Sequence, residues 1–405
     1  MRKILLPLLC MLFAASVLTA QTKGFVTVKG KEIVDASGKP ILLKGINLGN
    51  WLVPEGYMFK FGKVSSPRLI NEMFSEVIGP VKTAEFWTKF RDNYITEKDI
   101  QYIKSAGFNS VRIPFNYNLF TVNDDTNRIE GVGFKYLDSA IVWCERSGVW
   151  AILDMHCAPG GQTGDNIDDS FGYPFFFEDT LSQKLAIKIW AALAERYKDK
   201  EIVIGYDFLN EPIAHYFEVE KLNPRLEPFF KKISAEIRKI DPNHIFFIAG
   251  AQWNSNFKIF GEPFDSKLVY TFHKYWTPAT QEVIQDYIDF GSKHNVPFWL
   301  GESGENTNEW IDSFRVVLEK NNIGWCFWPY KKMDSPRCIA TFDTPGLYDA
   351  LIKYSEAPRD SFAKIRENKP SRENALKALD EFIKNCRFEN CRMNDGYLKA
   401  LFGNK

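Results

Sequence analysis

Apolar positions along the chain gather into eight short runs set between longer segments of helical period. The runs cover residues 42–48, 110–115, 150–156, 203–210, 244–250, 268–275, 297–302 and 324–330. Each is nearly continuous in apolar residues rather than alternating, the pattern of a strand buried on both faces. Segments 97–106, 136–146, 182–197, 226–240, 281–294 and 308–320 carry apolar residues at helical spacing. Several of them end in Gly or Asn just before the next run, as helix stops do.

Buried strands each followed by a helix make a parallel sheet, and eight such units close into a barrel of typically about 250 residues. The predicted fold class is therefore α/β: a (β/α)8 TIM barrel in a single domain. An open doubly wound sheet is the competing architecture. It is disfavoured because Gly45-Ile46-Asn47-Leu48-Gly49 lacks the glycine spacing of a phosphate-binding loop. The surplus length falls in an N-terminal β-hairpin and in two long βα loops, 49–93 and 157–180. The hairpin is read from Phe25, Val26, Val28, Ile33 and Val34 and the turn residues Ser37-Gly38-Lys39-Pro40. A helix over 372–384 is expected to close the barrel.

Arg2 and Lys3 precede an apolar run, 4–17, that ends in Leu18-Thr19-Ala20. A cationic start, an apolar core and a small residue at the cut make a secretory signal, and the run is short for a membrane span of ~20 residues. The expectation is a signal peptide over 1–20 and one domain over 21–405, exported to the periplasm or the cell exterior, monomeric, with no membrane span in the mature chain. In such a compartment Cys386 and Cys391 are the best-placed disulfide pair, whereas Cys326, inside an apolar run, reads as a buried thiol.

Composition narrows the function. The chain is 45% apolar, with 34 Phe, 16 Tyr and 11 Trp among its 405 residues, which excludes disorder. Its 51 cations balance 51 acids. Without Arg2 and Lys3 the cations fall to 49, a formal charge of −2, so there is no electrostatic footprint for nucleic acid. The aromatic surplus can fill a core or stack on flat apolar ligand faces.

In a (β/α)8 barrel the site is built where strands end. Here those ends carry Arg112, then Asp154-Met155-His156, then Asn210-Glu211-Pro212, then His273 and Tyr275, then Glu302, and Trp328. Glu211 and Glu302 sit at the mouths of the fourth and seventh runs, nearly opposite each other. Two opposed carboxylates are the minimal apparatus of glycoside hydrolysis, one giving a proton to the leaving oxygen and the other attacking or activating water. Arg112 would keep a nearby carboxylate ionised, His273 would orient an acid and Tyr275 would hold a nucleophile oxygen. Asn210 is placed for a sugar 2-hydroxyl. Singly, each of these is as readily a packed or paired core residue; the conjunction carries the reading. Asp154, Asp207 and Glu305 are spare carboxylates. Trp51, Tyr57, Trp253, Trp276 and Trp328 are the candidate stacking platforms, and Phe171, Phe175, Phe176 and Phe177 the candidates to wall off one end of a cleft and make the enzyme exo-acting. Metal ligation is not expected, since five His include no His-x-His pair.

The set Arg112, His156, Asn210, Glu211, His273, Tyr275, Glu302 and Trp328 resembles glycoside hydrolase family 5, the cellulase family, over about residues 45–330. That resemblance implies a retaining mechanism with Glu211 as acid/base and Glu302 as nucleophile, without metal or cofactor. His156-Cys157-Ala158-Pro159-Gly160 and Asn47-Leu48-Gly49-Asn50-Trp51-Leu52 are similar to the β-1,3-glucanase-like branch. They imply a β-glucan or gluco-oligosaccharide substrate. A β-mannanase, a transglycosylase and a non-catalytic carbohydrate-binding barrel remain open alternatives. Gly301-Glu302-Ser303-Gly304-Glu305 and the adjoining Trp276 depart from that branch and leave linkage open.

Overall fold

The computed structural model describes residues 23–122 and 128–403, so the expected signal segment lies outside the described residues. An antiparallel hairpin, β1 (Thr27–Lys29) and β2 (Glu32–Val34), leads into a closed parallel barrel. Its strands are β3 (Lys44–Asn47), β4 (Ser110–Asn116), β5 (Trp150–Cys157), β6 (Val203–Asp207), β7 (Ile245–Ala249), β8 (Leu268–His273), β9 (Phe298–Glu302) and β10 (Gly324–Phe327). They follow one another around the ring in chain order, and β10 pairs back onto β3. These are the eight predicted runs, six of them trimmed at their ends and β4 and β5 each one residue longer.

Alternation along each strand divides the core. On β5, Ile152 faces inward with Ile204, Ile245, Phe247, Val269, Trp299 and Cys326, while Ala151, Leu153 and Met155 belong to the layer under the helices. Val26, Ile33 and Leu43 join the inner group, so the hairpin plugs the N-terminal end of the barrel. The same two-residue period carries the inward face of β5 on to Asp154 and His156 at the other end.

Two expectations change. The 49–93 segment is not simply a loop. It holds helices Pro67–Ile78 and Pro80–Tyr94, the first started by Ser66 accepting from Leu69 N with Pro67 at the first helical position. Much of the aromatic surplus packs there: Phe59, Phe61, Phe74, Phe86, Trp87 and Phe90 form edge-on and stacked pairs. Helix Arg372–Asn385 joins this group through Phe382, stacked on Phe59 at 5.2 Å, and does not close the barrel. That place belongs to helix Asp395–Phe402, which packs against helix Asn308–Lys320 and sets Phe402 edge-on to Phe108 at 4.9 Å. A small sheet of β11 (Lys331–Met333), β12 (Ala340–Phe342) and β13 (Arg392–Met393) ties this C-terminal segment to the end of β10.

The expected Cys386–Cys391 disulfide is absent; both are free thiols. Cys386 Sγ donates to Ile383 O and Cys391 Sγ to Arg387 O, each sulfur turned to the backbone of its own turn rather than to the other. Cys326 is buried and free. No described helix is long and apolar enough to cross a membrane.

Candidate active site

A pocket of about 620 Å³ opens at the C-terminal end of the barrel strands, lined among others by Glu211, Glu302, His156, His273, Tyr275, Trp276 and Trp328. Glu211 follows β6 in the left-handed region, at φ 43°. The loop after β5 holds that turn. Gln162 Nε2 donates to the carbonyls of His156 and Asn210 at 2.8 and 2.7 Å, Thr163 Oγ1 donates to Glu211 O at 2.8 Å, and Ile213 N donates to Gln162 O at 2.8 Å. Strain in a non-glycine residue of about 1–3 kcal/mol persists only where such contacts over-determine it. Glu211 Oε1 lies 2.8 Å from His273 Nδ1, and burial pushes its carboxyl up to about 7, with Arg112 pulling the other way. His273 and His156 are themselves pushed down by burial, to about 3 and about 4, so both are neutral near pH 7 and each offers one N–H.

Glu302 ends β9 in a different setting. Arg112 Nη1 donates to its Oε1 at 2.5 Å and Tyr275 OH to its Oε2 at 3.2 Å. Burial works against the charge of Arg112, but Asp154, Asp207 and Glu302 together raise its pKa. Arg112 and Asn210 are fully buried and lie beneath the pocket rather than in its wall. Asn210 Oδ1 accepts from Arg112 Nη2 at 2.8 Å and its Nδ2 faces His156 Nε2 at 3.3 Å; His156 Nδ1 is 2.8 Å from Asp154 Oδ2. An oxygen of Glu211, one of Glu302 and a ring nitrogen of His273 fall within 4.8 Å of one another. They are the one such donor grouping among the described residues. As a cation site it fits poorly, because the Arg112 guanidinium already neutralises Glu302 and His273 Nδ1 is engaged by Glu211.

Aromatic placement is mixed. Trp328 lies in the pocket wall with its face stacked on His156 at 5.5 Å and Nε1 donating to Tyr57 OH at 2.6 Å. Gly49 has no side chain for a reason: a Cβ there would meet the Trp328 ring at 2.6 Å. Trp276 is 76% exposed on the rim, free to stack. Trp253 reaches the pocket from a turn in which Gln252, Trp253 and Asn254 are all left-handed, and its Nε1 donates to His215 Nδ1 at 3.2 Å. Trp51 does not reach the pocket. It is buried, edge-on to Tyr136, with Nε1 donating to Arg91 O, because the loop after β3 turns it outward onto the helices. The Phe-rich loop is not the pocket wall either: Phe176 and Phe177 are core residues, and Phe171 and Phe175 face solvent. That loop contributes Ile167 instead.

Sequence reasoning missed Glu55, His215 and Lys274 in the wall, and Gln162 and Thr163 behind it. Glu55 is buried, its Oε1 has no hydrogen-bond partner, and burial first, then the charges of Glu302 and Glu211, raise its pKa well above the carboxylate range. Its only sequence signal was position, four residues past Trp51 in the loop already singled out. Glu305, counted among the spare carboxylates, pairs with Lys332 at 2.9 Å at the pocket edge.

The family model for cellulase, glycosyl hydrolase family 5, matches residues 74–334. A β-xylosidase of Phanerodontia chrysosporium is 31% identical over 303 residues, covering 74% of this chain and 61% of that protein. The match thus spans about three-fifths of that relative's length. A glucan 1,3-beta-glucosidase of Candida oleophila is 29% identical over 357 residues, covering 80% of this chain and 82% of that protein. An endogalactoceramidase structure covers 93% of this chain and is itself 84% covered, with a TM-score of 0.62 at 16% identity, a likeness of fold alone. The chain belongs to glycosyl hydrolase family 5, the cellulase family.

Proposed function

We propose that the protein is an exported retaining β-glycosidase that hydrolyses β-D-glucosidic bonds in glucans or gluco-oligosaccharides. The observation that carries this is the unequal pair of carboxylates, with oxygens within 4.8 Å of each other. Retaining enzymes hold their carboxyl groups about 5–5.5 Å apart, whereas inverting ones leave about 6.5–9.5 Å for a water. Glu211, held protonated toward neutral pH by burial, gives its proton to the departing oxygen. Glu302, with Arg112 and Tyr275 on its two oxygens, attacks the anomeric carbon. Glu211, now ionised, takes the proton of the water that releases the sugar. Asn210, beneath the site, holds the Arg112 guanidinium and the His156 ring in place.

The glucan reading is supported by the relatives: the glucan 1,3-beta-glucosidase, and an endoglucanase C of Acetivibrio thermocellus that is 28% identical over 305 residues. The β-xylosidase makes xylosides the control that matters. The test is hydrolysis of β-1,3-, β-1,4- and β-1,6-glucans, glucomannan, and aryl β-glucosides and β-xylosides, followed by NMR of the first anomer released. Retention is expected, and initial inversion refutes the mechanism. Glu302→Ala should lose about a thousandfold or more in kcat.

A further inference from the structure

Below the pocket, one guanidinium faces three carboxylates. Arg112 Nη2 lies 3.0 Å from Asp154 Oδ1 and 2.8 Å from Asp207 Oδ2, its Nε 2.9 Å from the same Asp207 oxygen, and its Nη1 2.5 Å from Glu302 Oε1. Asp154 and Asp207 are fully buried register partners on β5 and β6. Each leaves its Oδ1 without a hydrogen bond. The charged groups that act on them are Arg112 and Glu211 for Asp154, and Arg112 and Asp154 for Asp207. The remaining groups of this layer bring no positive charge: Asn47 and Asn210 are amides, His156 is held neutral, and burial keeps the Cys326 thiol protonated. A dry interior does not hold three anions on one cation; a carboxyl takes a proton instead.

Glu302 is the member that cannot take it, because attack on carbon needs its carboxylate. We propose that Asp154 and Asp207 hold one proton between them in the working enzyme, so that Arg112 is shared by one aspartate and Glu302 rather than by three anions. Both are positioning residues. They act through Arg112, and Asp154 also through His156, and neither lines the pocket. Burial, opposed by Arg112, pushes both carboxyls up to about 7, consistent with this geometry. When the shared proton leaves at higher pH, a second negative charge competes for the Nη2 edge of Arg112, and the guanidinium is drawn from Glu302. The alkaline fall of kcat/KM then carries two ionisations, that of Glu211 and that of the pair.

The kinetic part rests on the proposed roles of Glu211 and Glu302; the proton itself does not. NMR of protein labelled with carboxyl-13C aspartate reads it directly. In the wild type, one aspartyl carboxyl should titrate near pH 7, apart from that of buried Asp168 near 6. Asp207→Asn, a neutral isostere of the protonated acid, should lose that step while keeping the Asp168 one. The same variant should keep kcat/KM at pH 6 within about threefold, and its alkaline limb should fall with one ionisation instead of two. Asp207→Ala, which removes the contacts as well, should not be so spared. Absence of an aspartyl titration near pH 7 in the wild type overturns the proposal whether or not any variant folds; so does an unchanged titration, or an unchanged alkaline slope, in Asp207→Asn. If the wild type cleaves no β-glycoside, the hydrolase reading fails while the NMR still decides the proton.

Discussion

At the residue scale, the site is two carboxyls made different by their neighbours. Glu211 sits in a left-handed turn, buried, with a neutral imidazole on Oε1; Glu302 sits at a strand end under a guanidinium. That burial has a stability cost with a definite sign. The carboxyl of Glu211 titrates at about 7 folded and near 4.5 unfolded, so the folded state holds a proton that the unfolded chain has released, and stability falls as pH rises between those values. Glu211→Gln carries no such charge. At pH 8 it should raise stability by roughly 1–3 kcal/mol, visible as a higher Tm, while activity falls by orders of magnitude. An unchanged or lower Tm would count against burial as the cause. Most of these residues were legible because a (β/α)8 fold tells where a strand end must point. Trp51 was not, since its loop carries aromatic residues for both directions and only packing chose the outward one. Gln162 and Thr163 were invisible because they act through carbonyls, which no side-chain motif records.

At the element scale, all eight strands were readable because a closed barrel buries both faces of every strand and so writes unbroken apolar runs. The helices beyond the barrel were not assignable. An amphipathic stripe says that a helix buries one face, not against what, and Arg372–Asn385 found the aromatic layer around Phe59 instead of the barrel wall. Lys331, just after β10, ties the barrel to that layer by donating to the carbonyls of Tyr94 and Cys386 at 2.6 and 3.1 Å, and it is one half of a buried charge pair. Asp99 completes the capping box of helix Glu97–Ala106, accepting from Thr96 N at 2.8 Å, and also pairs with Lys331 at 2.7 Å; both side chains have no exposure. Lys331→Met leaves Asp99 buried without a counter-charge and should cost about 3–5 kcal/mol in urea unfolding. A loss under 1 kcal/mol would mean that the cap hydrogen bonds alone satisfy Asp99.

At the scale of the molecule, the barrel separates what it stands on from what it does. The hairpin seals one end and the pocket opens at the other. Ile33→Ala, in the seal, should lower stability by about 2 kcal/mol or more. It should leave kcat/KM unchanged, because none of the residues clustered with Ile33 lines the pocket; an equal loss of activity would mean that the two ends are coupled. The order of strands and helices, the closed sheet and the identity of the polar residues at its mouth were determined by the sequence, since each follows from local period and from the inward turn of alternate strand residues. Only the tertiary structure decided the rest: the pairing of Glu211 with His273 and of Glu302 with Arg112, the loading of three carboxylates on one guanidinium, the place of the last helices and the fate of each aromatic ring. Those are distances between residues far apart in the chain, and local pattern, which reports burial and period, carries no information about which distant partner fills the space.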